Sequence, residues 1–157
     1  MAHLTDSGFV PFLREWIRQD KPFLGICLGM QMLLERSEEA PGVPGLGVIP
    51  GDVVRFPTGG EKVPHIGWNT VEKNPFGDSR FFPAGQEPLW FYFVHSYYVR
   101  PADTADVAAV CRYILPFAAS LSRGNLLAVQ FHPEKSQDAG LELLRTFLQK
   151  TTNGEKK

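Results

Sequence analysis

The segment FLGICLGMQ at residues 23–31 gives the strongest indication of the fold class. Its first four residues are an uncharged apolar run with the length of a buried strand. A turn around Cys27 follows directly, and the segment Met30–Arg36 is predicted to be helical. Because a strand that passes straight into a helix is a building unit of layered α/β proteins, the stretch predicts an α/β fold with a buried sheet.

Apolar periodicity predicts a helix near each end of the chain and strands between them. At residues 8–19 five large side chains fall on one helical stripe. They are Phe9, Phe12, Leu13, Trp16 and Ile17. A final helix is predicted from about Asp138 to Lys150, so residues 1–150 form a single domain and residues 151–157 a disordered tail. Strands are predicted at 52–56, 63–71, 89–99 with an interruption near His95, 107–110, 117–121 and 126–131, the last two joined by a hairpin turn at 122–125.

The composition is that of a globular protein and argues against several functions. The chain has 157 residues, of which 43% are hydrophobic and 21% charged, and a formal net charge of -1. This balance gives no basic surface for nucleic acid, and no apolar run approaches the roughly 20 residues that span a bilayer. The two cysteines, Cys27 and Cys111, do not suggest a disulfide framework, and the His and Cys residues lack metal-ligand spacing. We therefore expect a cytoplasmic protein with no nucleic-acid or membrane partner, no metal and no cofactor.

Cys27 lies in a pattern that is typical of a nucleophile. Gly25 and Gly29 flank it two residues away on each side, as in an elbow where a strand turns sharply into a helix. Glycines give room for such a turn, and a position at a helix N-terminus favours the reactive thiolate. The backbone N–H of Leu28 is then expected to point toward a developing oxyanion. The alternative, a small buried hydrophobic residue, stays open at this point.

His132 and Glu134 form a second candidate group. They lie in QFHPE at residues 130–134, directly after a predicted strand, where α/β enzymes place active-site groups. The histidine can take the thiol proton and return it to a leaving group, and the carboxylate can orient the imidazole. A surface turn is the alternative for this segment. His65 and His95 compete with His132 for the role of base, because spacing excludes neither.

Together with their neighbours, these residues resemble a known family. GICLGMQ at 25–31 and QFHPEKS at 130–136 resemble the class I, triad-type glutamine amidotransferases. Three further stretches, SEEA at 37–40, PHIGWN at 64–69 and FVHSYY at 93–98, are similar to the glutaminase subunit of imidazole glycerol phosphate synthase, an enzyme of histidine biosynthesis. The resemblance extends from the first predicted helix to the last. It implies a flavodoxin-like α/β fold with a central, mostly parallel sheet flanked by helices.

The resemblance also implies a reaction. Cys27 would attack the side-chain amide of glutamine and form a glutamyl thioester, with His132 as general base and acid and Glu134 orienting it. The residues at positions that hold the glutamine substrate in this family are Gln31, Glu39, Ser96 and Tyr97.

A partner is implied as well, since this family works as a heterodimer. The ammonia would pass to a separate (β/α)₈-barrel cyclase subunit and react there with a phosphoribulosyl-formimino aminoimidazole nucleotide. The positions that lie toward the cyclase in the family correspond to Trp68, Asn69, Tyr92 and Lys135. The alternatives are a core aromatic for Trp68 and Tyr92, and a solvated charge for Lys135.

The chain departs from the family pattern at its beginning. Family members start with a strand, a helix, a second strand and a Gly-rich loop before the helix at residues 8–19, so about 50 residues are absent by family proportions. The absent loop would carry a second oxyanion donor, and losing one such donor costs about 3–4 kcal/mol of transition-state stabilisation. We therefore expect a truncated form of a longer product, without the N-terminal strands of the sheet.

Two other functions stay open on the sequence alone. The first is another class I amidotransferase domain, in guanylate or anthranilate synthesis. Met30 in place of a histidine, and the stretch 67–69, argue against anthranilate, but Met30 does not exclude the guanylate type. The second is a non-catalytic module that docks on the cyclase and is inactivated by truncation.

Overall fold

The computed structural model describes residues 2–85 and 88–152, in which helices alternate with strands. The helices are α1 (Ala2–Asp6), α2 (Phe9–Arg18), α3 (Leu28–Gln31) and α4 (Gln137–Thr152). The strands are β1 (Phe23–Ile26), β2 (Arg36–Ser37), β3 (Gly51–Arg55), β4 (His65–Lys73), β5 (Leu89–His95), β6 (Tyr97–Pro101), β7 (Val107–Arg112), β8 (Pro116–Arg123) and β9 (Leu126–Val129). Short 3₁₀ turns lie at Thr104–Asp106 and Pro133–Lys135. Within these residues no helix combines the length and apolar character needed to cross a bilayer.

The strands form a six-stranded sheet in the order β1-β9-β8-β7-β4-β5 and a three-stranded sheet in the order β2-β3-β6. The α/β class is confirmed, but the main sheet is mixed rather than mostly parallel. β1 pairs with β9 in parallel, and the other four pairings are antiparallel. The reason is connectivity: β7, β8 and β9 follow one another through short turns, which reverse the chain, whereas parallel neighbours need a long crossover.

The helix after Cys27 is shorter than predicted. It ends at Gln31 instead of continuing to Arg36. The carbonyls of Met32, Leu33 and Leu34 accept hydrogen bonds from the backbone of residues 46–49 instead of from the next helical turn. The loop therefore competes successfully for the bonds that a longer helix needs, and it leads the chain into β2.

The remaining predictions agree with the structure in most positions. The first predicted helix corresponds to α2, and the long aromatic run is interrupted at Ser96, between β5 and β6. The predicted hairpin joins β8 to β9 through Gly124, whose φ is 56°. α4 extends to Thr152, so the first two residues of the predicted tail are helical. Thr151 is buried, with its hydroxyl donating to the carbonyl of Phe147. Residues 153–157 lie outside the described residues.

The core is deepest around β8 and β9. The six inner residues of β8 and all four residues of β9 are buried, so both faces of these strands are covered. Directly after β9, Phe131 is fully buried and stacks on Phe91 with 3.9 Å between the ring centroids. β1, which ends directly before Cys27, is thus paired with a strand that is buried at every residue.

Candidate active site

The ends of β1 and β9 bring the two candidate groups together. Their register pairs Ile26 with Val129, and the backbone N–H of Cys27 continues the ladder by donating to the carbonyl of Val129 at 2.8 Å. Because the two strands are parallel, the residues that follow them lie at the same edge of the sheet. The structure therefore places Cys27 beside the segment 130–134.

Cys27 has the strained backbone of an elbow. Its φ is 49° and its ψ is -103°, a positive φ that side-chain-bearing residues rarely adopt. Such strain persists only where the surrounding structure holds it, and it is concentrated at functional sites. Here β1 holds the residue on one side and α3 on the other, which argues for a nucleophile rather than for a hydrophobic filler.

The two flanking glycines have different roles, although the sequence suggests the same role for both. A Cβ atom on Gly25 would lie 2.8 Å from the carbonyl oxygen of Gly29 and 3.1 Å from the backbone nitrogen of Met30. A Cβ atom on Gly29 would meet nothing within 4 Å. Gly25 is therefore required by the close approach of strand and helix, and Gly29 is not required by space.

The electrostatic environment of the thiol differs from the prediction. Burial raises the pKa of the Cys27 thiol, and the carboxylates of Glu39 and Glu134 raise it further. Hydrogen bonds from the backbone N–H of Leu28 and from the side chain of Gln130 act in the opposite direction. The expected effect of a helix N-terminus is weak, because α3 has only four residues. The balance of these effects holds the pKa of the Cys27 thiol above its ordinary value.

The ring and backbone of His132 are held by three neighbouring groups. Its Nδ1 lies 2.7 Å from Oε1 of Glu134, which the 3₁₀ turn at Pro133–Lys135 brings back toward the ring. A carboxylate oxygen only accepts hydrogen bonds, so Nδ1 carries the proton of the neutral ring, and in that form Nε2 is an acceptor. Backbone bonds fix the residue itself: its N–H donates to the carbonyl of Tyr92, and its carbonyl accepts from the hydroxyl of Ser136.

His65 and His95 are not available as bases. They bond to each other, with Nδ1 of His65 lying 3.0 Å from Nε2 of His95, and both side chains are buried. Burial lowers the pKa of each to about 4. The other ring nitrogens are also occupied, by the carbonyl of Tyr97 and the amide of Asn69. Within residues 2–85 and 88–152, no group of three or more His, Cys, Asp or Glu side chains could hold a metal ion.

A small pocket lies next to the elbow. It has a volume of about 230 Å³, and Leu28, the residue after Cys27, is one of its lining residues. Gln31 and Glu39 line it, so two of the four predicted glutamine-binding residues share one cavity. The carbonyl of Tyr97 accepts a hydrogen bond from Nε2 of Gln31 at 3.1 Å, and Ser96 precedes it at the break between β5 and β6. Gln31 and Glu39 thus share the pocket, Tyr97 contacts Gln31 through its backbone carbonyl, and Ser96 is only the neighbour of Tyr97 in the chain.

The predicted partner residues divide between two faces of β4 and β5. Trp68 is 44% exposed and lies opposite Tyr92, whose ring has the ammonium of Lys135 at 5.9 Å. This exposure excludes the core role for Trp68. Asn69 points to the other face, where its amide nitrogen donates to the carbonyl of Arg112 and to His65. Asn69 therefore does not share a surface with Trp68, because side chains alternate along a strand.

Sequence reasoning missed three residues of this region. Ile66 and Val94 face each other across β4 and β5, and both are exposed on the face that carries Trp68. The alternation of side chains in these strands could have identified them. Gln130 was quoted within a motif but had no assigned role; it is fully buried, and its Nε2 lies 3.5 Å from Sγ of Cys27. No spacing rule points to such a contact.

Comparisons with known proteins agree with this geometry. Residues 5–151 match the family model for glutamine amidotransferase class-I. The chain is 55% identical over 157 residues to the imidazole glycerol phosphate synthase subunit HisH of Methylococcus capsulatus, covering 94% of this chain and 70% of that protein. It is 49% identical over 148 residues to the subunit of the same name from Moorella thermoacetica, covering 94% and 69%.

A solved structure supports the fold. A crystal structure of a glutamine amidotransferase superposes with a TM-score of 0.68 at 22% identity, over 95% of this chain and 71% of that one. The chain therefore belongs to the class I glutamine amidotransferases, and within them to the HisH subunits of imidazole glycerol phosphate synthase.

The two glycines of the elbow give a matched pair of substitutions. Gly25→Ala should lower the free energy of unfolding by about 1–3 kcal/mol, because the methyl group overlaps backbone atoms that cannot move away. Gly29→Ala should be neutral or stabilise by up to about 1 kcal/mol, since alanine is the better helix former. Urea unfolding followed by tryptophan fluorescence measures both values. Equal effects of the two changes would contradict the packing described for Gly25.

The buried histidine pair predicts a pH dependence of stability. In the unfolded chain a histidine has a pKa near 6.5, whereas His65 and His95 have pKa values of about 4 in the folded protein. Between these values the unfolded state binds protons that the folded state does not, so stability should fall as the pH is lowered from about 6.5 toward 4. The slope is at most about 1.4 kcal/mol per pH unit for each histidine.

Urea unfolding at several pH values between 7 and 5 measures this slope with little interference from carboxylates. His65→Phe removes one titrating group, so its slope should be smaller whatever its absolute stability. A free energy of unfolding that stays constant over this pH range would show that the pair is not held neutral.

Proposed function

We propose that the chain hydrolyses glutamine to glutamate and ammonia at Cys27, and that the ammonia serves imidazole glycerol phosphate synthesis in histidine biosynthesis. The observation that carries the proposal is the elbow at Cys27, placed at the same sheet edge as the hydrogen-bonded pair of His132 and Glu134. Membership of the HisH subunits supports the substrate and the pathway.

The first half of the reaction acylates the thiol. Nε2 of His132 accepts the proton of Cys27, and Sγ attacks the carbonyl carbon of the glutamine side chain. The backbone N–H of Leu28 donates to the oxygen that becomes negatively charged. The intermediate collapses as His132 returns its proton to the departing nitrogen, so that ammonia leaves and a glutamyl thioester remains.

The second half regenerates the enzyme. His132 takes a proton from water, whose oxygen attacks the thioester carbon. Sγ leaves as thiolate and recovers the proton from the imidazole, and glutamate is released. Glu134 stabilises the imidazolium in both halves, since its carboxylate holds Nδ1–H at 2.7 Å.

The pocket beside the elbow is the proposed glutamine site. Glu39 supplies negative charge to the wall, which suits the α-ammonium group of an amino acid. Gln31 uses both hydrogens of its Nε2, one on the carbonyl of Tyr97 and one on Oε1 of Gln130. Gln31 can therefore offer a ligand only its carbonyl oxygen, as an acceptor. Ser96, at the break between β5 and β6 beside Tyr97, is proposed to contact the substrate from the neighbouring loop.

The partner is proposed to be the cyclase subunit, a (β/α)₈ barrel that forms a heterodimer with this chain. The exposed Trp68 contacts the half-buried Tyr92, and with Lys135 over the tyrosine ring the pair gives an apolar surface with one cationic group. Ile66 and Val94 extend that surface along the same two strands. Aromatic anchors of this kind are enriched at protein interfaces. Because His132 donates its backbone N–H to the carbonyl of Tyr92, the surface and the base are directly connected.

The other functions considered receive less support. The relatives reported above are HisH subunits and not guanylate or anthranilate enzymes. A non-catalytic docking module does not account for a strained nucleophile elbow beside an oriented histidine. A cytoplasmic location is part of the proposal, because Cys27 and Cys111 are both free thiols, as is usual in a reducing compartment.

Ammonia release from glutamine, measured with a cognate cyclase subunit and its nucleotide, tests the function. Cys27→Ala should abolish turnover, because no thioester can form. Glu134→Gln should lower kcat about 10²–10⁴-fold, since an amide can donate to Nδ1 and then stabilises the imidazole tautomer that cannot accept a proton at Nε2. Glu142→Gln is the matched control, as Glu142 is a similarly exposed carboxylate on α4, paired with Arg145.

The same assay examines the partner surface. Trp68→Ala should raise the cyclase concentration needed for half-maximal turnover by tenfold or more, the usual effect of removing an aromatic anchor. Phe76→Ala removes a ring that is 90% exposed outside this surface and should have no effect. Turnover by Cys27→Ala at the unchanged rate would exclude the proposed function.

A further inference from the structure

We propose that Gln130 is a catalytic residue of this site: its buried side-chain amide donates a hydrogen bond to Sγ of Cys27 and so stabilises the attacking thiolate. The proposal deepens the glutaminase function given above and rests on it. It assigns to Gln130 a role that spacing and motif do not suggest.

Gln130 is placed against the nucleophile by the sheet itself. It is the first residue after β9, and Cys27 is the first residue after β1, so the parallel register sets the two side by side. Its backbone N–H donates to the carbonyl of Ala119 on β8, which fixes the main chain. The side chain is fully buried, and a buried amide is tolerated only when its polar atoms have partners.

The orientation of the amide follows from a neighbouring carbonyl. The oxygen of Tyr97 can only accept, so the atom of Gln31 that lies 3.1 Å away must be its NH₂ group. That NH₂ group also lies 3.1 Å from the Gln130 side chain, which must therefore present its carbonyl oxygen. The remaining end of the Gln130 amide, at 3.5 Å from Sγ of Cys27, is then the NH₂ donor.

The same carbonyl fixes the hydrogen bonds on its other side. Nδ1 of His95 lies 2.8 Å from the Tyr97 oxygen and so carries the proton, which leaves Nε2 as an acceptor for Nδ1–H of His65. Nε2 of His65 then accepts from the amide of Asn69, which also donates to the carbonyl of Arg112. Each group has one consistent direction, and both rings are neutral. The network therefore holds Gln31, and through it the Gln130 amide, in one orientation.

A hydrogen-bond donor at this position stabilises the negative charge of the Cys27 thiolate, which its surroundings otherwise disfavour. Cys27 is partly buried and faces the carboxylates of Glu39 and Glu134, and all three conditions disfavour the thiolate. A hydrogen bond to an ionised group is stronger than one to a neutral group. During attack the N–H of Leu28 is proposed to leave Sγ and donate to the oxyanion instead. The NH₂ group of Gln130 is proposed to keep its hydrogen bond to Sγ throughout. Losing its donor should therefore raise the pKa of the thiol further.

The test measures the rate at which iodoacetamide alkylates Cys27 as a function of pH, using the full chain. Peptide mass mapping separates this reaction from that of the buried Cys111. In Gln130→Met, which keeps the length of the side chain but cannot donate, the alkylation profile should move to higher pH. The rate below the pKa should fall about tenfold, with little change at high pH.

A second variant keeps the experiment decisive if the first does not fold. Gln130→Glu preserves the size and the acceptor oxygen for Gln31 but replaces the donor by a carboxylate, so its profile should also move upward. Ser120→Ala is the matched control: it removes a buried hydroxyl on β8 that bonds to the carbonyl of Ala128 and does not contact Cys27. Its alkylation profile should coincide with that of the unchanged chain.

An unchanged profile in a folded Gln130 variant would overturn the proposal, because it would show a structural role only. A shift of equal size in Ser120→Ala would also overturn it, since the shift would then report general loosening. Alkylation needs neither glutamine nor the partner. Absence of glutamine turnover by the unchanged chain with its cyclase therefore refutes the glutaminase function, whereas an unchanged thiol profile refutes the role of Gln130.

Discussion

The parallel pairing of β1 with β9 is the constraint on which the site depends. One backbone hydrogen bond, from the N–H of Cys27 to the carbonyl of Val129, extends this ladder to the nucleophile. It forces the elbow and the segment 130–134 to the same edge, and it leaves Cys27 no relaxed backbone conformation because α3 begins at the next residue. The other strands of the main sheet pair in antiparallel fashion, and β8 and β9 are buried between the layers of the fold.

A second feature is the balance between burial and hydrogen bonding at the thiol. Partial burial and the carboxylates of Glu39 and Glu134 raise the pKa of the Cys27 thiol. In the proposed reaction, the groups that act against this are the Leu28 amide, the Gln130 side chain and the imidazole of His132. The donors come from separate strands and are fixed by backbone bonds or by the network around the Tyr97 carbonyl. Catalytic geometry of this kind requires little reorganisation during the reaction.

Much of this arrangement could be predicted from the sequence, because it depends on residues that are close together in the chain. The apolar run before Cys27 and the flanking glycines predicted the elbow, and the position of His132 after a strand predicted its place at the sheet edge. The length of α3 could not be predicted. The helix ends where it does because backbone N–H groups of residues 46–49, in a later loop, donate hydrogen bonds to the carbonyls of residues 32–34. The thiol pKa was expected in the wrong direction, because burial and the charges of Glu39 and Glu134 depend on tertiary contacts. That Asn69 and Trp68 lie on opposite faces follows from the alternation of side chains along a strand, and it could have been predicted from the sequence. The resemblance to the family instead assigned both residues to the partner surface.

Covalent labelling with a glutamine analogue that carries an electrophilic carbon at the amide position distinguishes a glutamine-binding nucleophile from a merely reactive thiol. We expect one label on Cys27 and none on Cys111, slower labelling in the presence of excess glutamine, and no labelling of Cys27→Ala. A chain whose Cys27 reacts with iodoacetamide but not with the analogue, or reacts with the analogue equally fast in excess glutamine, would contradict a glutamine-binding nucleophile at this elbow.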